Sequence, residues 1–232
     1  MPFNSRIIRT IAWPALGLCF LVGCSSADSP GNSGSPSPRP LVEGEGEPTP
    51  LTPGTYRFSV YVYGGVETPE ASIDVPDGFD DGASWYVVSR DGNEFLGLWT
   101  VGVVYNDPCR LGKTTYRYPG PSVQNLAHAL VAQRSTRTAA PKPVTLDGYR
   151  GLYVEIHSPS DLSECVKVAD LWGSPGGRGI YNDSQVDRVW ILDVDGRRLV
   201  VNAAYSAEST AKDIDKLTGM VQSLKFVPAA AE

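Results

Sequence analysis

The sequence predicts an α+β domain in which a mostly antiparallel β-sheet is flanked by helices, after a signal peptide and a disordered linker. Three observations predict this class. Apolar runs of strand length flank Asp-Gly pairs, which favour the tight turns of hairpins, at Asp91-Gly92, Asp147-Gly148 and Asp195-Gly196. Two stretches have the apolar spacing of amphipathic helices. Hydrophobic residues fill 41% of the 232 positions, which is enough for a core.

The N-terminus has the pattern of an export signal. Two arginines precede an apolar stretch over residues 11–22. As a helix this stretch would measure about 18 Å, well short of the ~30 Å hydrocarbon core, so we expect a signal peptide over 1–23 and no permanent span. It ends in Leu21-Val22-Gly23-Cys24, which resembles the lipobox of bacterial lipoproteins. The resemblance implies lipidation of Cys24, and an ordinary secretory signal with an incidental cysteine is the alternative.

Residues 24–53 are predicted to be a disordered linker, because they are rich in Ser, Pro, Gly and Glu and contain little to bury. A single domain over 54–228 and a tail over 229–232 follow. The formal net charge is −6, and the basic residues form no cluster, so we expect no nucleic-acid partner. We expect a monomer that is lipid-anchored at the extracytoplasmic face of the cell membrane.

The first part of the domain is predicted to consist of strands. Alternating or continuous apolar residues indicate strands over 55–63, 71–75, 85–89 and 94–105. Pro76-Asp77-Gly78 ends the second strand with a turn signal. The last strand is apolar on both faces, which is typical of the middle of a sheet covered on each side.

Helix signals and further hairpins fill the second part. Ser122 is placed to cap one helix, and Thr210 with Asp213 resembles the capping box of another. Between these helices we expect two hairpins, which pair 144–146 with 150–157 and 187–194 with 197–205. A short edge strand over 224–226 ends the domain.

Several short motifs accompany this order of elements. They are Ile-Asp-Val-Pro-Asp-Gly-Phe over 73–79, the strand at Trp85, the helix after Pro121, the hairpin with Gly148 and Gly151, and the closing residues 220–226. Together they resemble the Mog1/PsbP-like fold, in particular its lipoprotein branch in actinobacteria, over 54–226. The segment 158–184 is an addition to that pattern. The resemblance implies a non-enzymatic binding or assembly role.

Two cysteines remain after the signal peptide and the lipidation site. Cys109 and Cys165 lie in loop-like surroundings, and an oxidising exterior favours a disulfide between them. A redox-active pair is the alternative, although the spacing is not Cys-Xaa-Xaa-Cys.

Two groups of residues are candidates for binding a partner or ligand. Alternation along one strand places Tyr153, Glu155 and His157 on a single face, either as a ligand or acid/base site or as the solvated side of the sheet. A glycine-rich loop carries Trp172, Arg178 and Tyr181, residue types that are enriched at binding hot spots. A loop without a function is the alternative there.

These observations favour a membrane-anchored extracytoplasmic lipoprotein that acts as a non-enzymatic binding or assembly module at the cell envelope. Its partner would be an envelope protein or a ligand. One alternative is a cell-envelope hydrolase that uses His157 and Glu155, although no Gly-Xaa-Ser-Xaa-Gly motif supplies a nucleophile. Another is a solute-capturing lipoprotein. We expect no catalytic residue, no bound metal and no cofactor.

Overall fold

The structure, a computed structural model, describes residues 37–41, 48–62, 68–110, 115–165, 169–173 and 177–227, all within the compact unit Ser37–Glu232. The predicted signal peptide over 1–23, the lipidation site Cys24 and the tail over 229–232 lie outside the described residues.

The described residues form seventeen strands, two α-helices and two short 3₁₀ helices, at Pro108–Arg110 and Leu162–Glu164. The α-helices are α1 (Val123–Val131) and α2 (Ala211–Ser223). The strands are β1 (Arg39–Pro40), β2 (Thr49–Pro50), β3 (Gly54–Phe58), β4 (Glu70–Val75), β5 (Phe79–Ala83), β6 (Tyr86–Ser89), β7 (Glu94–Trp99), β8 (Val104–Tyr105), β9 (Tyr116–Arg117), β10 (Arg137–Thr138), β11 (Lys142–Leu146), β12 (Tyr149–His157), β13 (Ala169–Trp172), β14 (Arg178–Ile180), β15 (Val186–Val194), β16 (Arg197–Tyr205) and β17 (Lys225–Val227).

Three sheets organise the fold. The central sheet has the order β10-β12-β15-β16-β7-β6-β5-β2, and β11 also pairs with β12. The two smaller sheets have the orders β1-β3-β4-β17 and β14-β13-β8-β9. Every strand pair in them is antiparallel except β1 with β3. The predicted α+β class with a mostly antiparallel sheet is confirmed.

A hydrophobic core covers each face of the central sheet. The first core joins this sheet to α2 and to β3 and β4, and the second joins it to α1 and β13. In β7, Leu96 and Leu98 belong to the first core, whereas Trp99 belongs to the second. This two-sided burial explains why the strand is apolar on both faces, as the sequence predicted.

The three predicted hairpins and both helix caps are present, but only two of the Asp-Gly pairs form two-residue turns. Four residues connect β6 to β7, and of the Asp91-Gly92 pair only Gly92 has a positive φ. Asp147 and Asp195 have φ values of 48° and 52°, and the glycine after each also has a positive φ, as two-residue hairpin turns require. The Ser122 side chain accepts a hydrogen bond from the N–H of Asn125 at the start of α1. Thr210 and Asp213 form the reciprocal capping box of α2.

Two of the predicted strands have different bounds in the structure. The strand expected over 55–63 ends at Phe58. The strand expected over 94–105 is divided, because β7 ends at Trp99 and β8 pairs in a different sheet. Between them the chain leaves the central sheet, and Val101 and Val103 are buried by packing. Strand β5 was also missed by the sequence analysis, since two consecutive aspartates interrupt its apolar pattern.

The disorder predicted over 24–53 is wrong for residues 37–41 and 48–53. These residues supply β1 and β2, and their two leucines, Leu41 and Leu51, are buried in the first core. The N–H and hydroxyl of Thr49 both donate to Asp81 Oδ1, at 3.1 and 2.6 Å. A few buried contacts therefore order a segment whose composition alone predicts a linker.

Candidate binding site

An aromatic pocket of about 460 Å³ opens beside the glycine-rich loop. Strands β6 and β7 and the turn before β6 supply its aromatic wall, in which Trp85 and Tyr86 have ring centroids 4.3 Å apart. The rings of Tyr86 and Phe95 are stacked at 5.4 Å. Arg178 of β14 and Tyr181, which follows it, also line the cavity. We call this cavity the aromatic pocket below.

A buried ionic network holds Arg178 in the pocket. Its Nε donates to Asp187 Oδ1 at 2.8 Å, and its guanidinium carbon lies 4.3 Å from the centroid of the Phe95 ring. Asn202 donates to the same oxygen of Asp187, and Gln185 donates to the other oxygen at 2.6 Å. Asp187 is thus a fully buried carboxylate with three donors, which offset much of the cost of burying its charge.

Two glycines allow the rings of the pocket to lie where they do. A Cβ atom at Gly97 would come within 2.7 Å of Phe95, and one at Gly179 would come within 2.6 Å of Tyr181. Each aromatic side chain therefore occupies space above a neighbouring glycine.

Two tyrosine hydroxyl groups, those of Tyr86 and Tyr181, belong to the pocket. Burial raises the pKa of Tyr86 above its usual value, and the nearby Tyr181 and Asp81 raise it further. Tyr181 itself is 66% exposed at the rim, and its N–H donates to Gln185 Oε1. The pocket therefore offers aromatic faces and hydrogen-bonding groups together, which is typical of small-molecule sites.

The glycine-rich loop is only partly as predicted. Arg178 and Tyr181 lie together at the aromatic pocket, whereas residues 174–176 lie outside the described residues. Trp172 is 1% exposed and packs edge-on against Trp99, with ring centroids 5.8 Å apart. The prediction that Trp172 contacts a partner is corrected, because this side chain is part of the second core.

Tyr153, Glu155 and His157 share one face of β12, and the structure brings them together. The Tyr153 hydroxyl donates to Glu155 Oε2 at 2.7 Å, and His157 Nε2 lies 3.0 Å from Glu155 Oε1. Arg188 on β15 approaches the same carboxylate at 3.6 Å. We call these four side chains the Glu155 cluster.

The Glu155 cluster has the electrostatics of a stabilised carboxylate. Burial alone would raise the pKa of Glu155, but the hydrogen bonds from Tyr153 and His157 outweigh it, so this pKa is lowered. Burial and the bond to Glu155 raise the pKa of Tyr153. Within the described part of the chain, no Ser or Cys side chain is hydrogen-bonded to His157 or Glu155, so the cluster contains no nucleophile activated by this histidine.

A second cavity, a groove of about 790 Å³, lies beside the start of α1. Arg198 lines it and donates to backbone carbonyls of Val101, Gly120 and Ser122. Burial lowers the pKa of Arg198. Because these bonds tie β16 to the loops around α1, we interpret Arg198 as a structural residue.

The predicted disulfide is confirmed. Cys109 and Cys165 are bonded, and their Cα atoms are 4.3 Å apart. The bond joins the 3₁₀ helix that follows β8 to the C-cap residue of the 3₁₀ helix that precedes β13.

Sequence reasoning missed most of the aromatic pocket, including Gln185, and also missed Asp187, which accepts a hydrogen bond from Arg178. One signal was present: Asp187 alternates with Val189 and Ile191, which belong to the second core, so the pattern places a carboxylate on a buried face. An inward-pointing aspartate requires a buried donor, and Arg178 is that donor.

Two further findings concern metals and membranes. Among the residues that the structure describes, no group of three or more His, Cys, Asp or Glu side chains is arranged to hold a metal ion. The described residues contain the α-helices α1 and α2, and neither helix has the length and apolarity needed to cross a bilayer.

An α+β domain with an antiparallel central sheet and an aromatic pocket is the class that these observations define. No protein-family model matches the sequence, and no curated protein matches it. Among solved structures, the chain is similar to the crystal structure of LpqN, a protein involved in cell envelope biogenesis of Mycobacterium tuberculosis. The TM-score is 0.40 and the identity 11%, over 75% of this chain and 92% of that chain. A likeness at this level says nothing of function, and the predicted Mog1/PsbP-like lipoprotein group stays a prediction.

Proposed function

We propose that this protein is a non-enzymatic binding module of the cell envelope, which holds a small ligand in the aromatic pocket. The observation that carries the proposal is the pocket itself, where a buried guanidinium lies among aromatic rings. Its volume of about 460 Å³ falls within the usual range of roughly 300–1,000 Å³ for ligand sites. Buried ionic groups that reach a cavity are costly to maintain, and recognition of a ligand is a reason to keep one there.

The position of the Glu155 cluster relative to the two cavities argues against a hydrolase. The Glu155 cluster has an acid/base pair but, within the described residues, no nucleophile bonded to it. Neither the aromatic pocket nor the groove beside α1 is lined by Tyr153, Glu155 or His157. A catalytic site needs its reactive groups around a space for substrate. In this protein the two cavities and the Glu155 cluster are in different places.

We also propose that the module is tethered at the extracytoplasmic face through a lipid on Cys24. The lipobox-like Leu21-Val22-Gly23-Cys24 supports this location. The disulfide between Cys109 and Cys165 also supports it, because such bonds persist in oxidising compartments. In a bacterial host that acylates lipoproteins, the Cys24→Ala chain should leave the membrane fraction. Retention of this variant in that fraction would contradict the tether.

Native mass spectrometry of the full chain purified from membranes tests the binding function. We expect a small molecule to co-purify with the wild-type protein. Val88→Trp introduces a large side chain at a half-buried position of the pocket and should abolish this adduct. Val227→Trp, on the exposed edge strand β17, is the matched control and should retain it. An adduct that survives Val88→Trp, or none in the wild type, would refute the proposal.

A further inference from the structure

The orientation of Arg178 shows which groups the aromatic pocket offers to a ligand. The residue is only 3% exposed, yet it lines the cavity. Its hydrogen bond to Asp187 is made through Nε, and within the described part of the chain neither Nη atom donates a hydrogen bond. A guanidinium held by Nε keeps donors on both Nη atoms, which together match an acceptor oxygen.

The charge of this donor is already balanced. Asp187 is fully buried and pairs with Arg178, so the two groups together are neutral. A second carboxylate, Asp81, is near enough to raise the pKa of Tyr86 in the wall of the pocket. An anionic ligand would therefore add an unbalanced negative charge in a largely buried site, close to existing carboxylates. A neutral acceptor would take the same hydrogen bonds without that cost.

The walls of the pocket favour a flat ligand body. Trp85, Tyr86 and Phe95, on two adjacent strands and the turn that precedes them, line the cavity together with Tyr181 of the glycine-rich loop. Aromatic faces bind planar rings by offset stacking, with centroids roughly 4.5–7 Å apart. Arg178 also stacks on Phe95, so a ring that reaches the guanidinium stays within the aromatic wall.

We propose that the aromatic pocket binds an uncharged planar ring compound, whose carbonyl oxygen accepts hydrogen bonds from the Nη atoms of Arg178. This ligand class rests on the proposed binding function and makes it specific. Asp187 positions the guanidinium, the rings hold the flat body, and the neutrality of the ion pair selects against carboxylates.

Three matched probes test the ligand class by calorimetric titration of the full chain at neutral pH. Naphthamide carries a neutral carbonyl, naphthoate carries a carboxylate on the same ring, and methylnaphthalene carries no acceptor. We expect naphthamide to bind at least about tenfold more tightly than either of the others. In nitrogen NMR spectra of the Arg178 guanidinium, naphthamide should shift the Nη and Nε resonances, whereas methylnaphthalene should leave them in place.

Two exposed tyrosines supply variants that leave the core intact. Tyr181→Ala removes a ring from the pocket rim and should weaken naphthamide binding about tenfold, whereas Tyr118→Ala, at a site that is equally exposed, should not change it. Equal or tighter binding of naphthoate, or naphthamide binding that does not move the Arg178 resonances, would overturn the ligand class. If none of the probes binds while Val88→Trp still removes a native adduct, the ligand class fails and the binding function stands.

Discussion

Asp187→Asn is the substitution that most directly tests the buried network of the aromatic pocket. The change keeps the size of the side chain but removes its charge, so Arg178 is left without a counter-ion in a buried site. Asparagine can still accept from Arg178 through its oxygen. Its amide nitrogen would then face the donor nitrogen of Gln185, which lies 2.6 Å from the present carboxylate oxygen. Two donors would oppose each other there.

Rotation of the Gln185 amide would remove this conflict, but it would break another hydrogen bond. Its Oε1 accepts the N–H of Tyr181 at 3.1 Å, and a rotated amide would lose that bond. Breaking a buried ion pair from one side costs about 3–5 kcal/mol, and a single unsatisfied buried group costs about 1–3 kcal/mol. Because the two costs overlap at one site, we expect Asp187→Asn to lower the free energy of unfolding by about 3–5 kcal/mol.

Urea unfolding followed by far-ultraviolet circular dichroism measures this loss, with the slope of the transition checked for a change in the unfolded state. Asp215→Asn, at an exposed position of α2, is the matched control and should change the free energy of unfolding by less than about 0.5 kcal/mol. A loss below about 1 kcal/mol for Asp187→Asn would refute the network described here, since it would mean that Arg178 does not depend on Asp187.

Two further predictions concern the disulfide and the Glu155 cluster. Replacing Cys109 and Cys165 together by Ser should lower the free energy of unfolding by up to about 4 kcal/mol, and thermal unfolding without reductant should show it. Equal melting temperatures of the wild-type protein and the double variant would contradict this loss of stability. Glu155→Gln should lower the free energy of unfolding by about 1–2 kcal/mol at neutral pH. Since the folded-state pKa of Glu155 is below its usual value of 4.5, this difference should persist above that pH and vanish as the pH falls through the folded-state pKa. A pH-independent difference in urea titrations would contradict that cause.

The features that depend on neighbouring residues in the chain could be predicted from the sequence. Asp147 and Asp195 mark hairpin turns because each precedes a glycine that readily adopts a positive φ. The capping box of α2 depends on Thr210 and Asp213, three positions apart. The common face of Tyr153, Glu155 and His157 follows from strand periodicity alone, so this group was found correctly.

The aromatic pocket could not be predicted in the same way, because its parts are distant in sequence. Phe95 and Arg178 belong to different sheets and are in contact only in the folded chain. Alternation within a single strand does not predict such contacts. The strand β2 depends likewise on Asp81, whose carboxylate accepts two hydrogen bonds from Thr49. In each case a long-range polar contact outweighs what local composition predicts.

The pairing of Arg39 with Tyr56 in β1 and β3 sets how far the domain can move from its proposed anchor. Only fifteen positions separate Cys24 from Arg39, and a fully stretched chain of that length spans at most about 50 Å. A linker extending to residue 53 would have allowed roughly twice that distance. If Cys24 carries a lipid, as proposed, Arg39 stays within about 50 Å of the headgroups, and the aromatic pocket would meet molecules near the membrane surface.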